Sequence, residues 1–309
     1  MNSRLACESL HSCSGCEISL LNIGEALIPL LDRLQLVHLP LLMDHKYSDP
    51  AGSETEISIP EAEIGLVSGG VANTHQLLVL EAMRKSCTTL IALGTCATHG
   101  GIPAMINEWP MADALHTVFS TATTEPGDVP NQDIPIMLDR VYSLDEKTDV
   151  DIFLPGCPPD PTIIAKVLED ILDGLTPKPV TKSVCDTCPT RRTGQGEQKL
   201  RRFTVNARFD GNESTASMRC LLEQGFLCMG PVTAAGCSRE GEPACIRAKV
   251  PCRGCFGPVR HQDNQMLGML NGLVSQGIDF KTIIDRKSML RFSGAHGRLR
   301  PLKKKKRVS

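Results

Sequence analysis

Apolar runs and helical periodicity alternate along the first 180 residues of the chain. Four short apolar runs predict buried strands, at residues 34–42, 63–68, 89–93 and 150–154. Pro40 should end the first of these strands early or place it at an edge. Helices are predicted over about 18–31, after the capping residue Asn73, and after Asp160-Pro161, which supplies a cap and a proline at the first helical position. Strands and helices in series predict an α/β fold with a parallel sheet covered on both faces.

The pattern changes between residues 176 and 200. Residues 176–180 break a helix, and residues 191–197 are polar and glycine-rich, so we place a domain boundary there. Residues 181–260 show weak periodicity and little apolar surface, and metal ligation would have to supply much of their folding free energy. A last helix is predicted over about 262–276. The basic run at 303–307 is interpreted as a solvated tail, in preference to a nucleic-acid patch.

Composition excludes several classes of function. The 309 residues include 33 Lys and Arg against 35 Asp and Glu, a net charge of −2, which gives no global attraction to nucleic acid or acidic lipid. Aromatic residues make up 4% of the chain, too few for a surface that stacks nucleic-acid bases. The sequence contains no run of 18 apolar residues, so no membrane span is predicted. Its first residues lack a signal-peptide pattern. We therefore expect a cytoplasmic protein whose cysteines are reduced.

Twelve of the fourteen cysteines fall into three sets of four. The first set is Cys13, Cys16, Cys96 and Cys157, and the remaining eight are Cys185, Cys188, Cys220, Cys228, Cys237, Cys245, Cys252 and Cys255. Cys96 and Cys157 each follow a predicted strand by three residues. Ligands of open parallel sheets bind beyond the carboxyl ends of the strands, so we expect the first set to converge there. Four thiolates suit one 4Fe-4S cluster, and the count predicts three clusters.

Other interpretations of the same residues remain open at this point. Cys13-x-x-Cys16 alone is also typical of a redox-active pair or of half a zinc site, and a zinc ribbon is the alternative for Cys188 and Cys255. Zinc would leave four of the eight later cysteines unexplained, whereas two clusters use them all. Cys7 and Cys87 are predicted to be packing residues. The Ser68-Gly69-Gly70 segment offers a phosphate or flavin cradle as a further alternative.

Three segments resemble the signatures of the nickel-iron hydrogenase small subunit. They are Cys13-Ser-Gly-Cys16-Glu17, Gly94-Thr-Cys96 followed by Gly100-Gly101-Ile102-Pro103, and Pro155-Gly-Cys157-Pro-Pro159. The resemblance extends over nearly the whole chain. Cys252-Arg-Gly-Cys255-Phe-Gly-Pro258 is similar to the cytoplasmic group that works with heterodisulfide reductase or with coenzyme F-420. In this family hydrogen is split on a separate large subunit, so no catalytic residue is expected here.

The resemblance implies how the twelve cysteines are grouped. The proximal 4Fe-4S cluster would be held by Cys13, Cys16, Cys96 and Cys157. The distal cluster would be held by Cys185, Cys188, Cys220 and Cys228, and the medial cluster by Cys237, Cys245, Cys252 and Cys255. Membrane-linked relatives have His at the position of Cys185 and Pro near that of Cys245, so Cys at both positions implies three 4Fe-4S clusters. The grouping of the last eight follows family order and does not come from spacing.

The family assignment also implies the domains and the partners. We expect a flavodoxin-like domain with the proximal cluster over 1–180, a ferredoxin-like two-cluster domain over 181–275 and a C-terminal segment with a basic tail over 276–309. The partners would be the large subunit, a small iron-sulfur subunit and heterodisulfide reductase, with no nucleic acid. The run from Glu223 to Thr233 favours a chain that delivers electrons towards heterodisulfide reductase. The alternative is the gamma subunit of an F-420-reducing hydrogenase.

Two more distant alternatives remain. One is a quinone-reducing complex I subunit, which shares the sheet but has adjacent cysteines where this chain has Cys13 and Cys16, and lacks the eight-cysteine extension. The other is a zinc-binding interaction module.

Overall fold

The computed structural model describes residues 2–47, 57–124, 128–239, 241–278, 283 and 285–301. The basic run predicted to form a tail at 303–307 lies outside these residues. The chain divides into two compact units, one formed by Met1–Pro177 with Gly294–Ser309 and the other by Lys178–Ser293. Within the described ranges, no helix has the length and apolar character needed to cross a membrane.

A five-stranded parallel sheet forms the centre of the first unit. Its strands are β1 (Ser3–Ser9), β2 (Leu34–His38), β3 (Ala62–Ser68), β5 (Cys87–Leu93) and β7 (Ile152–Leu154), in the spatial order β2-β1-β3-β5-β7. All four neighbouring pairs are parallel, as the alternation of strands and helices predicts. The run predicted over 34–42 forms a strand only as far as His38, with Pro40 in the turn that follows.

Helices cover both faces of this sheet. They are α1 (Gly15–Leu21), α2 (Leu27–Leu31), α3 (Thr74–Ser86), α4 (Gly94–His99) and α6 (Pro161–Leu172). A further helix, α5 (Met111–Phe119), has no buried residue and packs against the short strand Met137–Tyr142. Leu20 of α1, Leu30 of α2 and Ile164 of α6 pack on one face, and Leu80 and Met83 of α3 pack on the other. Successive residues of a strand therefore pack into two separate cores, one on each face of the sheet.

The predicted helix starts are confirmed, and one predicted helix is wrong. The Asn73 side chain accepts a hydrogen bond from the Gln76 amide. The side chain of Asp160, which directly precedes Pro161, accepts one from the Thr162 amide. The single helix expected over 18–31 is broken into α1 and α2. Gly24 between them has φ +69°, a left-handed conformation that an α-helix does not accommodate.

A short antiparallel pair accompanies the main sheet. Strand β4 (Val71–Asn73) pairs with β6 (Met137–Tyr142), and the side-chain amide of Asn107 bonds both the carbonyl and the amide of Val141 at 2.8 Å. This pair places Asn73 at the start of α3.

The second unit has little regular structure. It contains the two-residue strands β8 (Ser238–Arg239) and β9 (Glu242–Pro243) and the helices α7 (Ala244–Arg247) and α8 (Gln265–Ser275). Its core is a group of apolar side chains that includes Met229, Met269 and Leu273 together with two of the predicted ligands, Cys228 and Cys252. Thiols thus occupy positions in this core that apolar residues would fill in an ordinary small domain.

Candidate metal centres

The first set of cysteines meets at the carboxyl edge of the parallel sheet. Cys13 follows β1, Cys96 lies in the first turn of α4 after β5, and Cys157 follows β7, while Cys16 lies in the first turn of α1. The pKa of the Cys16 thiol is raised well above its ordinary value by burial, then by Glu17 and by the negative charges of the other three cysteines. The pKa of Cys96 is raised to about 12, mainly by burial and also by the charges of Cys157 and Cys13. The four thiols are therefore close enough to interact electrostatically.

A pair of hydrogen bonds joins the Cys96 loop to the Cys157 loop. The Thr95 amide donates to the Gly156 carbonyl at 2.8 Å, and the Gly156 amide donates to the Thr95 hydroxyl at 2.8 Å. Thr95 is almost completely buried, so these bonds form away from water. They fix the relative positions of residues that are 61 apart in the chain.

Two glycines leave room for the thiols of this set. Gly94 has φ +85°, and a Cβ built on it would overlap the Cys16 Sγ. Gly101 has φ +52°, and its Cβ would lie 2.6 Å from the Cys96 Sγ. A side chain at either position would occupy space next to a sulfur, so the glycines keep that space open for a group bound by the thiolates.

The glycines of the Ser68-Gly69-Gly70 segment pack against the loop that leads from β1 to Cys13. Gly70 exchanges two backbone hydrogen bonds with His11, at 3.0 and 3.1 Å, and a Cβ on Gly69 would lie 2.8 Å from the His11 backbone. This close packing of the chain against itself fills the position where a phosphate cradle was the alternative. The Ser68 hydroxyl donates to the carboxylate of Glu17, which is buried in the first turn of α1.

The second set comprises Cys185, Cys188, Cys220 and Cys228. The pKa of Cys185 is raised to about 12, mainly by burial and also by the charges of the other three cysteines, while Arg192 acts in the opposite direction. A Cβ built on Gly230 would lie 3.1 Å from the Cys185 Sγ and 3.6 Å from the Cys228 Sγ. The structure brings all four thiols of this set together.

The third set comprises Cys237, Cys245, Cys252 and Cys255, and it lies beside the second. The pKa of Cys252 is raised well above its ordinary value by burial, with Cys228, Cys245 and Cys255 contributing after it. The Cys252 amide donates to the Cys228 Sγ at 3.3 Å, which joins the second and third sets. Cys237 packs against the apolar group that contains Cys228 and Cys252.

The spacing of the thiols suits a group larger than one metal ion. All fourteen cysteines are free of disulfide bonds. Among the described side chains, no three cysteines have Sγ atoms within 4.8 Å of one another. A tetrahedral zinc site with Zn–S bonds of about 2.3 Å would place its sulfurs roughly 3.8 Å apart. A cluster in which each thiolate binds a different iron fits the wider spacing.

The two remaining cysteines lie in the cores of the sheet. Cys7 on β1 is fully buried with the apolar residues of one face. Cys87 begins β5, where its Sγ would lie 2.6 Å from a Cβ on Gly65. Burial raises the pKa of Cys87 to about 11, and it also raises the pKa of Cys7.

Comparison with known proteins gives one match to the first part of the chain and others to nearly its whole length. A profile described as "NADH ubiquinone oxidoreductase, 20 Kd subunit" matches residues 13–171, which span the first set of cysteines. One subunit of the vhu F420-non-reducing hydrogenase of Methanocaldococcus jannaschii is 36% identical over 91% of each chain. The corresponding subunit of the F420-non-reducing hydrogenase of Methanothermobacter marburgensis is 31% identical over 90% of this chain and 84% of its own.

A solved structure matches more than half of the chain. It is described as NAD+-reducing nickel-iron hydrogenase in the H2-reduced state, with 34% identity and a TM-score of 0.52 over 58% of this chain and 95% of that one. The fold and the thiol sites therefore define an oxidoreductase subunit of the iron-sulfur class. Within that class, the chain belongs to the nickel-iron hydrogenase small-subunit family, in the group found in F420-non-reducing hydrogenases.

Proposed function

We propose that this chain is the electron-transfer small subunit of a cytoplasmic nickel-iron hydrogenase. It would accept electrons from H2 oxidation on a large subunit and deliver them to a small iron-sulfur subunit and heterodisulfide reductase. Three 4Fe-4S clusters would supply one-electron transfer when bound by the twelve cysteines. The observation that carries this proposal is the convergence of Cys13, Cys16, Cys96 and Cys157 at one edge of the sheet.

Residues of the chain hold each set of thiolates in place. In the first unit, Thr95 and Gly156 hold two loops together, and Gly94 and Gly101 keep space beside the sulfurs. In the second unit, Cys228 is buried and accepts a hydrogen bond from the Cys252 amide, a contact that favours the thiolate. Burial and hydrogen bonds to sulfur are the two means by which these residues would set a reduction potential.

The length of the similarity favours the F420-non-reducing hydrogenases over the F420-reducing ones as the group of this chain. The relatives from F420-non-reducing hydrogenases match across about 90% of the chain. The gamma subunit of the coenzyme F420 hydrogenase of Methanococcus voltae is 30% identical over 53% of the chain. The chain therefore resembles the first group over a greater length than the second.

Replacement of one ligand tests the proposed role. The chain would be purified without oxygen together with its large subunit, as wild type, as Cys157→Ser and as the matched control Cys87→Ala. Cys157→Ser should lose about four irons per chain and hydrogen-dependent dye reduction, and keep the EPR signals of the second unit. The control removes a buried thiol outside all three sets and should keep the wild-type iron content.

The outcomes separate the parts of the proposal. Unchanged dye reduction in Cys157→Ser would show that the first set is not on the electron path. Failure of the wild-type complex to reduce dye with hydrogen would overturn the hydrogenase function itself. Reduction of coenzyme F-420 by the wild-type complex would favour the alternative destination.

A further inference from the structure

The two units carry opposite net charges that the whole-chain value conceals. The unit Lys178–Ser293 contains 18 of the 33 Lys and Arg residues and 10 of the 35 Asp and Glu residues, which gives it a net charge of +8. The remainder of the chain has 15 basic and 25 acidic residues, a net charge of −10. A unit with this excess of positive charge attracts acidic partners and repels basic ones.

The positive charge is concentrated in one surface segment, Arg191–Arg208. It contains six basic residues and one acidic residue, Glu197. The carboxylate of Glu197 lies 3.6 Å from Arg201 and 3.4 Å from Arg208, so one negative charge is shared between two guanidinium groups. The segment therefore keeps a large excess of positive charge.

Two apolar side chains lie exposed among these charges. Phe203 is 60% exposed and Val205 is 86% exposed, although both are large hydrophobic residues. The guanidinium of Arg202 lies 5.5 Å from the centre of the Phe203 ring. An apolar centre with a charged rim is the usual arrangement of a protein–protein interface.

Backbone hydrogen bonds hold this segment against the second set of cysteines. The Cys220 amide donates to the Arg191 carbonyl at 2.8 Å, and the Arg201 amide donates to the Gly225 carbonyl at 2.7 Å. The Arg192 guanidinium donates to the Cys185 carbonyl. The exposed basic surface therefore contacts the backbone of two of these four cysteines directly.

We propose that Arg191–Arg208 is the docking surface for an acidic redox protein that accepts electrons from the site formed by Cys185, Cys188, Cys220 and Cys228. The inference rests on the proposed electron-transfer function. One electron moves in each encounter, so the acceptor is reduced by one electron and no covalent bond forms or breaks. Charge attraction brings the acceptor to the surface, and contact with Phe203 and Val205 orients it.

A charge-reversal experiment tests this surface in the complex with the large subunit. The variant Lys199→Glu/Arg202→Glu changes two exposed side chains by a total of four charge units. The matched control Lys85→Glu/Lys166→Glu makes the same change at two exposed positions of the first unit. Hydrogen-dependent reduction would be measured with an acidic ferredoxin, a basic cytochrome c and a small viologen dye, each from low to high salt.

At low salt, the surface variant should reduce the acidic ferredoxin at least about tenfold more slowly than the control. It should reduce the basic cytochrome c faster than the control does, and the rates should converge at high salt as charge is screened. Reduction of the dye should stay at the wild-type rate. Phe203→Ser should slow ferredoxin reduction at every salt concentration, because it removes an apolar contact.

Equal ferredoxin rates in the surface variant and the control would overturn the docking surface. So would tight binding of a random-sequence DNA duplex that Lys199→Glu/Arg202→Glu abolishes, because the segment would then serve nucleic acid. If the wild-type complex fails to reduce even the dye with hydrogen, the proposed function fails, and the docking surface falls with it. Normal dye reduction with no charge dependence overturns the docking surface alone.

Discussion

The replacement Gly94→Ala should remove the iron-sulfur site of the first unit and leave the second unit loaded. Gly94 has φ +85°, and an added Cβ would overlap the Cys16 Sγ. The left-handed conformation costs an alanine about 1–2 kcal/mol. Forcing an extra carbon into a packed site costs about 1–3 kcal/mol more. The total of roughly 2–5 kcal/mol would displace Cys16 from its place among the other three thiols.

Gly174→Ala is the matched control for the backbone cost. Gly174 has φ +71°, and a Cβ built there meets no described atom within 4 Å. The control should therefore lose about 1–2 kcal/mol of stability with no change in metal content. The difference between the two variants isolates the contact with the Cys16 sulfur.

The assay is the iron and acid-labile sulfide content of anaerobically purified protein, with urea unfolding measured in parallel. Gly94→Ala should contain about eight irons per chain, against about twelve for Gly174→Ala and wild type. Equal iron content in the two glycine variants would refute the reasoning, because it would show that the space beside Cys16 is not needed by the bound group.

Three further predictions test other parts of the structure. Thr95→Val should lower the stability of the first unit by about 1–3 kcal/mol in urea unfolding, because the buried Gly156 amide loses its acceptor; Thr95→Ser keeps the hydroxyl and should behave as wild type. The first unit of protein freed of iron should lose stability as the pH rises above 9, because its fold raises the pKa of Cys96 to about 12 from an ordinary value of 9.0 and so holds a proton that the unfolded chain has released; equal stabilities in denaturant unfolding at pH 8 and pH 10 would contradict this. Cys185→His should keep its iron and raise the reduction potential of that site, because a neutral imidazole replaces an anionic thiolate; redox titration with an unchanged potential would argue against Cys185 as a ligand.

The sequence predicted the parts of the fold that depend on local pattern. Residues 89–93 and the caps at Asn73 and Asp160 were recognised because apolar runs and capping side chains act within a few residues. The convergence of Cys96 with Cys157 was predicted because both follow parallel strands at the same interval.

Strand β1, which lies between β2 and β3 in the sheet, was missed because its pattern does not identify a buried strand. Ser3–Ser9 includes Glu8, which is 4% exposed in the structure. Its carboxylate lies 2.8 Å from the His38 Nε2 and accepts a hydrogen bond from Tyr47 at 2.9 Å. These partners lie 30 and 39 residues away, so a local pattern cannot indicate that the charge is compensated.

The supports of the thiol sites were missed for a similar reason. Thr95 and Gly156 meet through the fold, as do Ser68 and Glu17, and no periodicity connects them. Gly94 and Gly101 stood inside a recognised motif, but their role depends on where the sulfurs lie. Such contacts follow from tertiary packing and require the folded chain.

The composition of the bound groups tests the central claim most directly. We would measure iron, acid-labile sulfide and zinc in anaerobically purified protein and record its Mössbauer spectrum after labelling with ⁵⁷Fe. The account predicts about twelve irons and about twelve sulfides per chain, with the spectrum of 4Fe-4S clusters and no stoichiometric zinc. Two or three zinc ions per chain with no iron would contradict it.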